Sequence, residues 1–198
     1  MSSINFYRHG ILSGKYSDYG KLTFPELTDL GTKCISPEID IKKSENIIDR
    51  TQSLVIDIAY VSPQIRTHQS ALLIWTTKLK LLWCLDEIYF DLSKLMTEEE
   101  YILWWWLPSV RIALWKSFFE RRKWIETPEL VMERIRLLLS ELENTSERDI
   151  IIVTHGFFLQ MVRCFLVEWV DFTKISYDDF LKLDIKPIWY LEGFEIQR

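Results

Sequence analysis

The chain contains little glycine, proline or cysteine: its 198 residues include six glycines, six prolines and three cysteines. So little glycine and proline leaves small room for disordered linkers, and we expect a single domain over residues 1–198. Cys34, Cys84 and Cys164 lie far apart and form no Cys-x-x-Cys pair. This spacing argues against a zinc ribbon and against a disulfide framework, and it favours reduced thiols.

The chain also lacks an excess of positive charge and a long apolar segment. Its net charge is -5, and without a long basic run we expect no nucleic-acid partner. The longest strongly apolar stretch, residues 102–107, ends at Pro108, far short of the roughly 20 residues that span a bilayer. The first residues show no basic region followed by an apolar stretch. No secretory signal is therefore apparent, and we expect a cytoplasmic location.

Apolar runs and helical periodicity alternate along the chain. Residues 4–7 and 150–153 have the pattern of buried central strands, a third strand is predicted over residues 54–61, and a shorter one is predicted before Glu87. Helical patterns occupy residues 27–35, 64–80, 97–124, 128–143 and 157–167. Strands that alternate with helices predict an α/β fold, here three α/β/α layers around a mostly parallel central sheet.

Two helix starts have a local cause, and one segment has an unusual composition. Ser62-Pro63 and Thr127-Pro128 each place a capping hydroxyl before a proline at the first helical position. Six of the nine tryptophans lie within residues 81–124. We interpret residues 91–127 or so as a helical, Trp-rich cap insertion. Its aromatic side chains form either the core of the cap or the apolar wall of a substrate pocket.

Arg8-His9-Gly10 follows the first predicted strand and is typical of phosphate chemistry. A histidine attacks a phosphoryl group only with a neutral ring, and the adjacent arginine both disfavours the protonated ring and binds the anion. Taken alone, the tripeptide is better explained by a surface arginine and a hydrogen-bonded core histidine. Other segments must therefore supply the rest of a site.

Three later segments supply such groups. Residues 62–71 place Arg66 on the first turn of a helix after a strand, and residues 150–156 place His155 at the end of another strand. In an open parallel sheet, ligands bind at the carboxyl ends of the strands, so these side chains should meet His9. We also expect the N–H groups that begin the helix after His155 to face a phosphoryl oxygen. Residues 85–90 add Glu87, a carboxylate that could protonate a leaving alkoxide.

In this order, the segments resemble the histidine phosphatase superfamily, also called the phosphoglycerate-mutase-like fold. The resemblance extends over nearly the whole chain and rests on five blocks and a looser sixth. They are Arg8-His9-Gly10, Leu27-Thr28-Asp29-Leu30-Gly31, residues 62–71 with the pattern Ser-Pro-x-x-Arg-x-x-Gln-Ser-Ala, residues 85–90 with Leu-x-Glu-x-x-Phe, residues 150–156 with a strand ending in Thr-His-Gly, and Glu126-Thr127 followed by Arg134.

The resemblance implies roles that agree with the chemistry of these side chains. His9 is the expected nucleophile and Glu87 the expected proton donor, which later activates water. Arg8, Arg66 and His155, together with Gly156, are expected to bind the phosphoryl oxygens. No metal ion and no cofactor are expected, because cationic side chains and helix N–H groups stabilise the charge.

Departures from the family pattern put the substrate in doubt. The family usually has Glu or Gln directly after Arg-His-Gly, whereas this chain continues from Ile11 to Lys15 without either. Asp91 stands where a glycine commonly follows the acid segment, and Phe157 replaces a second glycine after His155-Gly156. The expected substrate is a small-molecule phosphate ester whose alcohol has an apolar or ring-bearing portion. The oligomeric state stays open, an oligomer included.

Alternative interpretations exist for individual residues and for the whole chain. His68 lies on a different helix face from Arg66 and is interpreted as structural. A zinc site made of His9, His68 and His155 is rejected, because Arg8 and Arg66 would lie beside the dication. Glu87 also has the alternative interpretation of a solvated acid in a turn, because Asp86 and Asp91 are carboxylates close to it. The main hypothesis is a metal-independent phosphomonoester hydrolase; the alternatives are a phosphoglycerate-type phosphomutase and a non-catalytic phosphate-binding module.

Overall fold

The structure, a computed structural model, describes residues 3–18, 21–46, 56–73, 78–103, 107–183, 185 and 188–197. Within these ranges the chain forms five β-strands and eight α-helices. The strands are β1 (Ser3–Arg8), β2 (Ile58–Val61), β3 (Leu79–Leu81), β4 (Ile150–Thr154) and β5 (Gly193–Gln197). The helices are α1 (Phe24–Gly31), α2 (Ile41–Glu45), α3 (Ile65–Leu73), α4 (Glu98–Leu103), α5 (Leu107–Phe119), α6 (Pro128–Glu143), α7 (Gly156–Leu166) and α8 (Tyr177–Leu181).

The five strands form one sheet in the order β3-β2-β4-β1-β5. β1 to β4 are parallel to their neighbours, whereas β5 is antiparallel to β1. β1 and β4 pair in register from Ile4 opposite Ile150 to Arg8 opposite Thr154. The prediction of a mostly parallel α/β sheet is therefore confirmed.

Helices cover both faces of this sheet. On one face, Phe6, Tyr60 and Ile152 belong to the main core together with Ile135 of α6 and Phe158 of α7. On the other face, a second core joins Ala59, Val61, Ile151 and Val153 of the strands to Ala71 of α3, with Leu191 beside them. Because both faces are covered, every residue of β4 is buried, which explains its continuous apolar sequence.

Several predicted boundaries differ from the observed ones. The helix predicted over residues 64–80 is wrong at its end, because α3 stops at Leu73 and residues 79–81 form β3; residues 74–77 lie outside the described ranges. The helix predicted over residues 97–124 is divided into α4 and α5 and ends at Phe119, with residues 104–106 outside the description. The helix predicted over residues 27–35 is α1, which begins and ends earlier.

The third strand is also shorter than predicted. β2 begins at Ile58, and residues 51–55 lie outside the described ranges. Asp57 precedes the strand because its carboxylate accepts the backbone N–H groups of Arg148 (2.8 Å) and Asp149 (3.1 Å). The Asp57 side chain thus binds the turn before β4, and the strand begins one residue later. The sequence patterns did not predict β5, α2 or α8.

The two predicted helix starts have different outcomes. Thr127 caps α6 as expected: its side chain accepts the Leu130 N–H, and Pro128 is the first helical residue. The start at Ser62-Pro63 is wrong by two residues, because α3 begins at Ile65. The Ser62 hydroxyl still accepts the Gln64 N–H (3.2 Å), and it has a further partner described below.

The tryptophans of residues 81–124 divide between core and surface. Trp115 of α5 contacts the ring of Phe157, with centroids 3.9 Å apart, and stacks on Phe180 at 4.9 Å. Trp83, by contrast, is 75% exposed. Trp115 is therefore partly buried against the main core, and its role in a substrate pocket stays a prediction. In the described part of the chain, no helix has both the length and the apolar character needed to cross a membrane.

The pairing of β1 with β5 depends on a glycine. A Cβ atom at Gly193 would lie 1.5 Å from the carbonyl oxygen of Phe6. We therefore expect Gly193→Ala to lower the free energy of unfolding by about 3 kcal/mol, because a backbone atom cannot yield to the added methyl group. Urea denaturation measures this change. The control Glu195→Ala, at an exposed position of the same strand, should change stability by less than about 0.5 kcal/mol, and equal effects would contradict this account.

Candidate active site

The carboxyl ends of β1 and β4 bring two histidines together. The strands are adjacent and in register, so His9 and His155 follow them side by side, and the His9 N–H donates to the Thr154 carbonyl (2.9 Å). The ring centroids are 5.3 Å apart in an edge-on arrangement. Both side chains are almost fully buried, although both are polar.

The hydrogen bond of the His9 ring defines its tautomer. Nδ1 lies 2.8 Å from the carbonyl oxygen of Gly10, and since a carbonyl only accepts, Nδ1 carries the proton. Burial, then the charges of Arg66 and Arg8, lower the pKa of His9 well below 6.5. The expectation that Arg8 disfavours the protonated ring is confirmed, although burial and Arg66 contribute more. A neutral ring with this tautomer leaves the lone pair on Nε2.

His155 has the opposite arrangement of donor and acceptor. Arg66 Nε–H donates to His155 Nδ1 (3.2 Å), so the neutral ring carries its proton on Nε2, which lies 2.7 Å from the Ser62 hydroxyl. Ser62 Oγ also lies 3.2 Å from the hydroxyl of Thr67. Burial, then Arg66 and His9, lower the pKa of His155 well below its ordinary value. The ring orientation is therefore fixed by Ser62 and Arg66.

Arg8 is buried, with 6% of its surface exposed, and its described partners are neutral. Its Nη1 donates to the carbonyl of Ile188 (3.0 Å), and its guanidinium lies over the ring of Tyr190, 4.1 Å from the centroid. Its Nε has no hydrogen-bond partner among the described residues. That Nε faces Gly156, where a Cβ atom would approach it to 3.0 Å. An unsatisfied N–H of a cation at the start of a helix is suited to an anion.

Glu87 lies at the start of α7. Its Oε1 accepts the N–H groups of Phe158 (3.0 Å) and Ile88 (3.0 Å), and its Oε2 accepts the Phe157 N–H (3.3 Å). The expectation that the first N–H groups of this helix face a phosphoryl oxygen is therefore wrong for Phe157 and Phe158. For Gly156 it stays a prediction.

The other carboxylates near Glu87 have separate partners. Asp86 forms an ion pair with Lys33 (2.9 Å), and its second oxygen lies 3.8 Å from His155 Nε2, beyond hydrogen-bond distance. Asp91 accepts hydrogen bonds from the backbone and hydroxyl of Ser93. Asp86 thus lies at the edge of the site, whereas the described hydrogen bonds of the Asp91 carboxylate are local.

The described hydrogen bond of the His68 ring is to the backbone. Its Nε2 lies 2.8 Å from the carbonyl of Ser62, consistent with the structural interpretation. Among the described residues, no group of three histidine, cysteine, aspartate or glutamate side chains could hold a metal ion.

The altered loop after Gly10 is held by neighbouring helices. The Gly10 N–H donates to Ser70 Oγ (2.8 Å), and the Ile11 N–H donates to Ser44 Oγ (3.1 Å). The Ser70 hydroxyl in turn donates to the carbonyl of Arg66 (2.6 Å). The loop therefore has a fixed conformation although its sequence departs from the family pattern.

Sequence reasoning missed several residues of this site. Ser62 was interpreted only as a helix cap, yet its hydroxyl orients His155. Ile188 and Tyr190 hold Arg8, and no local pattern marks them, because they reach the site only through the pairing of β5 with β1. Arg134 was noted only as a loose match; its side chain contacts the segment that carries Glu87.

Comparison with known proteins agrees with this fold. The model of the histidine phosphatase superfamily (branch 1) matches residues 4–180. The chain therefore belongs to the histidine phosphatase superfamily, as its motifs indicated. The match ends before Ile188 and Tyr190, so their contacts with Arg8 lie outside the region that the family model describes. No curated protein matches the chain.

Solved structures share the fold at low sequence identity. A mycobacterial glucosyl-3-phosphoglycerate phosphatase matches 98% of this chain and 89% of its own, with a TM-score of 0.62 and 12% identity. Phosphoserine phosphatase from Entamoeba histolytica in complex with 3-phosphoglyceric acid matches 91% of this chain and 85% of its own, with a TM-score of 0.56 and 20% identity. Phosphoglycerate mutase from Bacillus anthracis str. Sterne matches 99% of this chain and 88% of its own, with a TM-score of 0.52 and 15% identity. The three-layer fold is therefore the phosphoglycerate-mutase-like fold.

The two buried histidines predict a pH dependence of stability. As pH falls through 6.5, the unfolded chain binds a proton at each histidine, whereas the folded rings of His9 and His155 stay neutral. Their contribution is present above pH 6.5 and is lost below it. We expect the free energy of unfolding to fall by up to about 1.4 kcal/mol per pH unit for each ring. Urea denaturation between pH 7.5 and pH 5 measures the slope.

The matched variants His9→Gln and His155→Gln test this assignment. Each removes one titrating ring, so each should reduce the slope by about half. The window ends at pH 5 because carboxylates with a lowered pKa, such as Asp171 and Asp179 at about 2, lose their contributions at lower pH. An unchanged slope in both variants would show that other groups cause the pH dependence.

Proposed function

We propose that the protein is a phosphatase that hydrolyses a small-molecule phosphomonoester through a phosphohistidine intermediate on His9. The observation that carries the proposal is the state of His9: a buried neutral ring whose Nδ1–H is donated to Gly10, which leaves Nε2 for attack. Arg8 and Arg66 place permanent positive charge beside the ring, where a phosphoryl group would bind.

The proposed reaction has two displacements at phosphorus. In the first, His9 Nε2 forms a bond to phosphorus, the ester P–O bond breaks, and Glu87 gives its proton to the leaving alkoxide. In the second, Glu87 takes a proton from water, the water oxygen attacks phosphorus, and inorganic phosphate leaves His9. Arg8 and Arg66, with the Gly156 N–H, would hold the phosphoryl oxygens in both steps, and His155 would join them by moving its Nε2–H from Ser62 to a phosphoryl oxygen. The proposal needs neither a metal ion nor a cofactor.

The two oxygens of Glu87 differ in their hydrogen bonds. Oε1 accepts two N–H groups at 3.0 Å, whereas Oε2 accepts one at 3.3 Å. Oε2 is therefore the better position for a transferable proton. Its partner, the Phe157 N–H, adjoins Gly156, which lies against Arg8. The carboxyl group would thus stand beside the place where a phosphoryl oxygen meets Arg8.

The proposed substrate class follows from the surroundings of the site. Trp115, in the segment proposed as a cap at about residues 91–127, packs on Phe157 at the start of α7. An alcohol with an apolar or ring-bearing portion would fit beside these rings. The named phosphatases among the similar structures act on phosphoserine and glucosyl-3-phosphoglycerate, which supports a small phosphate ester. We propose a cytoplasmic location for this activity.

Trapping of the phosphoenzyme tests the proposal. After rapid mixing with a ³²P-labelled phosphate ester and quenching in alkali, we expect the label on His9 in the wild-type protein and none in His9→Ala. The matched control is His68→Gln, which keeps an amide donor for the Ser62 carbonyl and should still be labelled. A His9→Ala protein that releases phosphate at the normal rate would overturn the proposal.

A panel of phosphate esters separates the alternatives when phosphate release, isomer interconversion and binding of a phosphate analogue are each measured. Interconversion of phosphoglycerate isomers faster than phosphate release would identify a mutase. Binding of a phosphate analogue without turnover of any ester would identify a non-catalytic module.

The contact between Tyr190 and Arg8 predicts a change in phosphate affinity. Tyr190→Leu removes the aromatic face that holds the guanidinium, an interaction worth about 1 kcal/mol. The inhibition constant of inorganic phosphate should therefore rise about fivefold. Tyr190→Phe keeps the ring and should change this constant by less than about twofold. If both variants bind phosphate like the wild type, Tyr190 does not hold Arg8 in its binding position.

A further inference from the structure

The segment that carries Glu87 has little regular structure of its own. A single 3-10 turn, Trp83–Leu85, precedes it, and the next strand-like contact is an isolated bridge between Phe90 and Ile125. The backbone groups between them need partners from elsewhere, since buried N–H and C=O groups are costly to leave unpaired. The position of Glu87 therefore depends on whatever binds this backbone.

Arg134 of α6 and Glu126 supply these partners on both sides of Glu87. Arg134 Nε donates to the Cys84 carbonyl (3.2 Å), and its Nη2 donates to the carbonyl of Asp86, the residue before Glu87. Glu126 Oε2 accepts the Tyr89 N–H (3.3 Å), and the Glu126 N–H donates to the Tyr89 carbonyl (3.0 Å). The two side chains also pair with each other, with Arg134 Nη1 2.6 Å from Glu126 Oε2.

Arg134 also contacts the residue that binds the Glu87 carboxylate. Its guanidinium lies over the ring of Phe158, 4.4 Å from the centroid, while the Phe158 N–H donates to Glu87 Oε1. One side chain thus connects the backbone before Glu87 to the helix turn that binds its carboxylate. The side chains of Arg134 and Glu126 are only 15% and 13% exposed. This shielding from water keeps the ion pair in one geometry.

We propose that Arg134, paired with Glu126, is a positioning residue that holds the Glu87 carboxyl group in place for proton transfer. This inference rests on the proposed function, because it assigns to Arg134 an effect on the step in which Glu87 acts. Arg134 touches the backbone of Cys84 and Asp86, and its effect reaches the substrate only through Glu87. Its loss should therefore resemble the loss of the acid and differ from the loss of phosphate binding.

The dependence of the rate on the leaving group separates these effects. A p-nitrophenolate needs no proton to depart, whereas the alkoxide of phosphoserine or glycerol phosphate does. The quantity to compare is kcat/KM, which includes only the steps up to departure of the alcohol. For Arg134→Met we expect about a 100-fold loss with the alkyl esters and less than about threefold with p-nitrophenyl phosphate. Glu87→Gln should show the same division between the two ester classes.

Further variants make the outcome specific. Arg134→Lys keeps the charge but cannot bond both carbonyls and Glu126 together, so it should show the same leaving-group effect in a smaller degree. The control Arg136→Met, at an exposed position of α6, should leave kcat/KM unchanged for both ester classes. Adding Arg134→Met to Glu87→Gln should cause little further loss, since both act on one proton transfer. Thermal unfolding of each variant establishes that it is folded.

Two results would overturn the inference. Equal losses with aryl and alkyl esters would show a general structural effect, and no loss with either would show that Arg134 is dispensable. A failure of the proposed function has a different signature, which is His9→Ala retaining activity on both ester classes. A variant Arg134→Met that does not fold leaves Arg134→Lys and Glu126→Gln to give the same comparison.

Discussion

The parallel pairing of β1 with β4 places His9 beside His155, and the site depends on this contact. β4 is buried on both faces and β1 on one, and the two histidines that follow these strands have almost no access to water. Two imidazoles in this position with arginines beside them remain neutral. The sheet thus sets both the separation of the rings and their charge, and Ser62, Gly10 and Arg66 then select the tautomers.

Arg8 shows how a buried cation can be held without losing its capacity to bind an anion. Its described partners are the Ile188 carbonyl and the Tyr190 ring, neither of which carries a compensating negative charge. The carboxylates nearby have other partners: Asp86 pairs with Lys33, and Glu87 accepts N–H groups of α7. The positive charge at Arg8 is therefore held in a region of low dielectric constant, where its attraction for an anion is strong.

The sequence predicted the parts of this molecule that depend on local pattern. Residues 150–153 are apolar throughout because both faces of β4 are buried, whereas β1 alternates between buried residues such as Ile4 and Phe6 and half-buried ones such as Asn5. Both patterns mark strands, and this made the positions of His9 and His155 predictable. β3 was mistaken for the end of a helix because its three residues are partly exposed and include Lys80. Three contacts could not be predicted from the sequence: those of Glu87 with α7, of Arg134 with the segment before Glu87, and of Tyr190 with Arg8. Each joins segments that only the folded chain brings together.

The position of β1 in the sheet has a consequence for the order of folding. Both neighbours of this strand lie far later in the sequence, since Ile4 pairs with Ile150 of β4 and with Ile196 of β5. Because β1 is synthesised before both partners, its apolar side chains stay uncovered until β4 and β5 are available. Contacts so distant in sequence form slowly, since a long loop must close before they contribute stability. During that interval the unpaired edges and apolar side chains of β1 are open to aggregation.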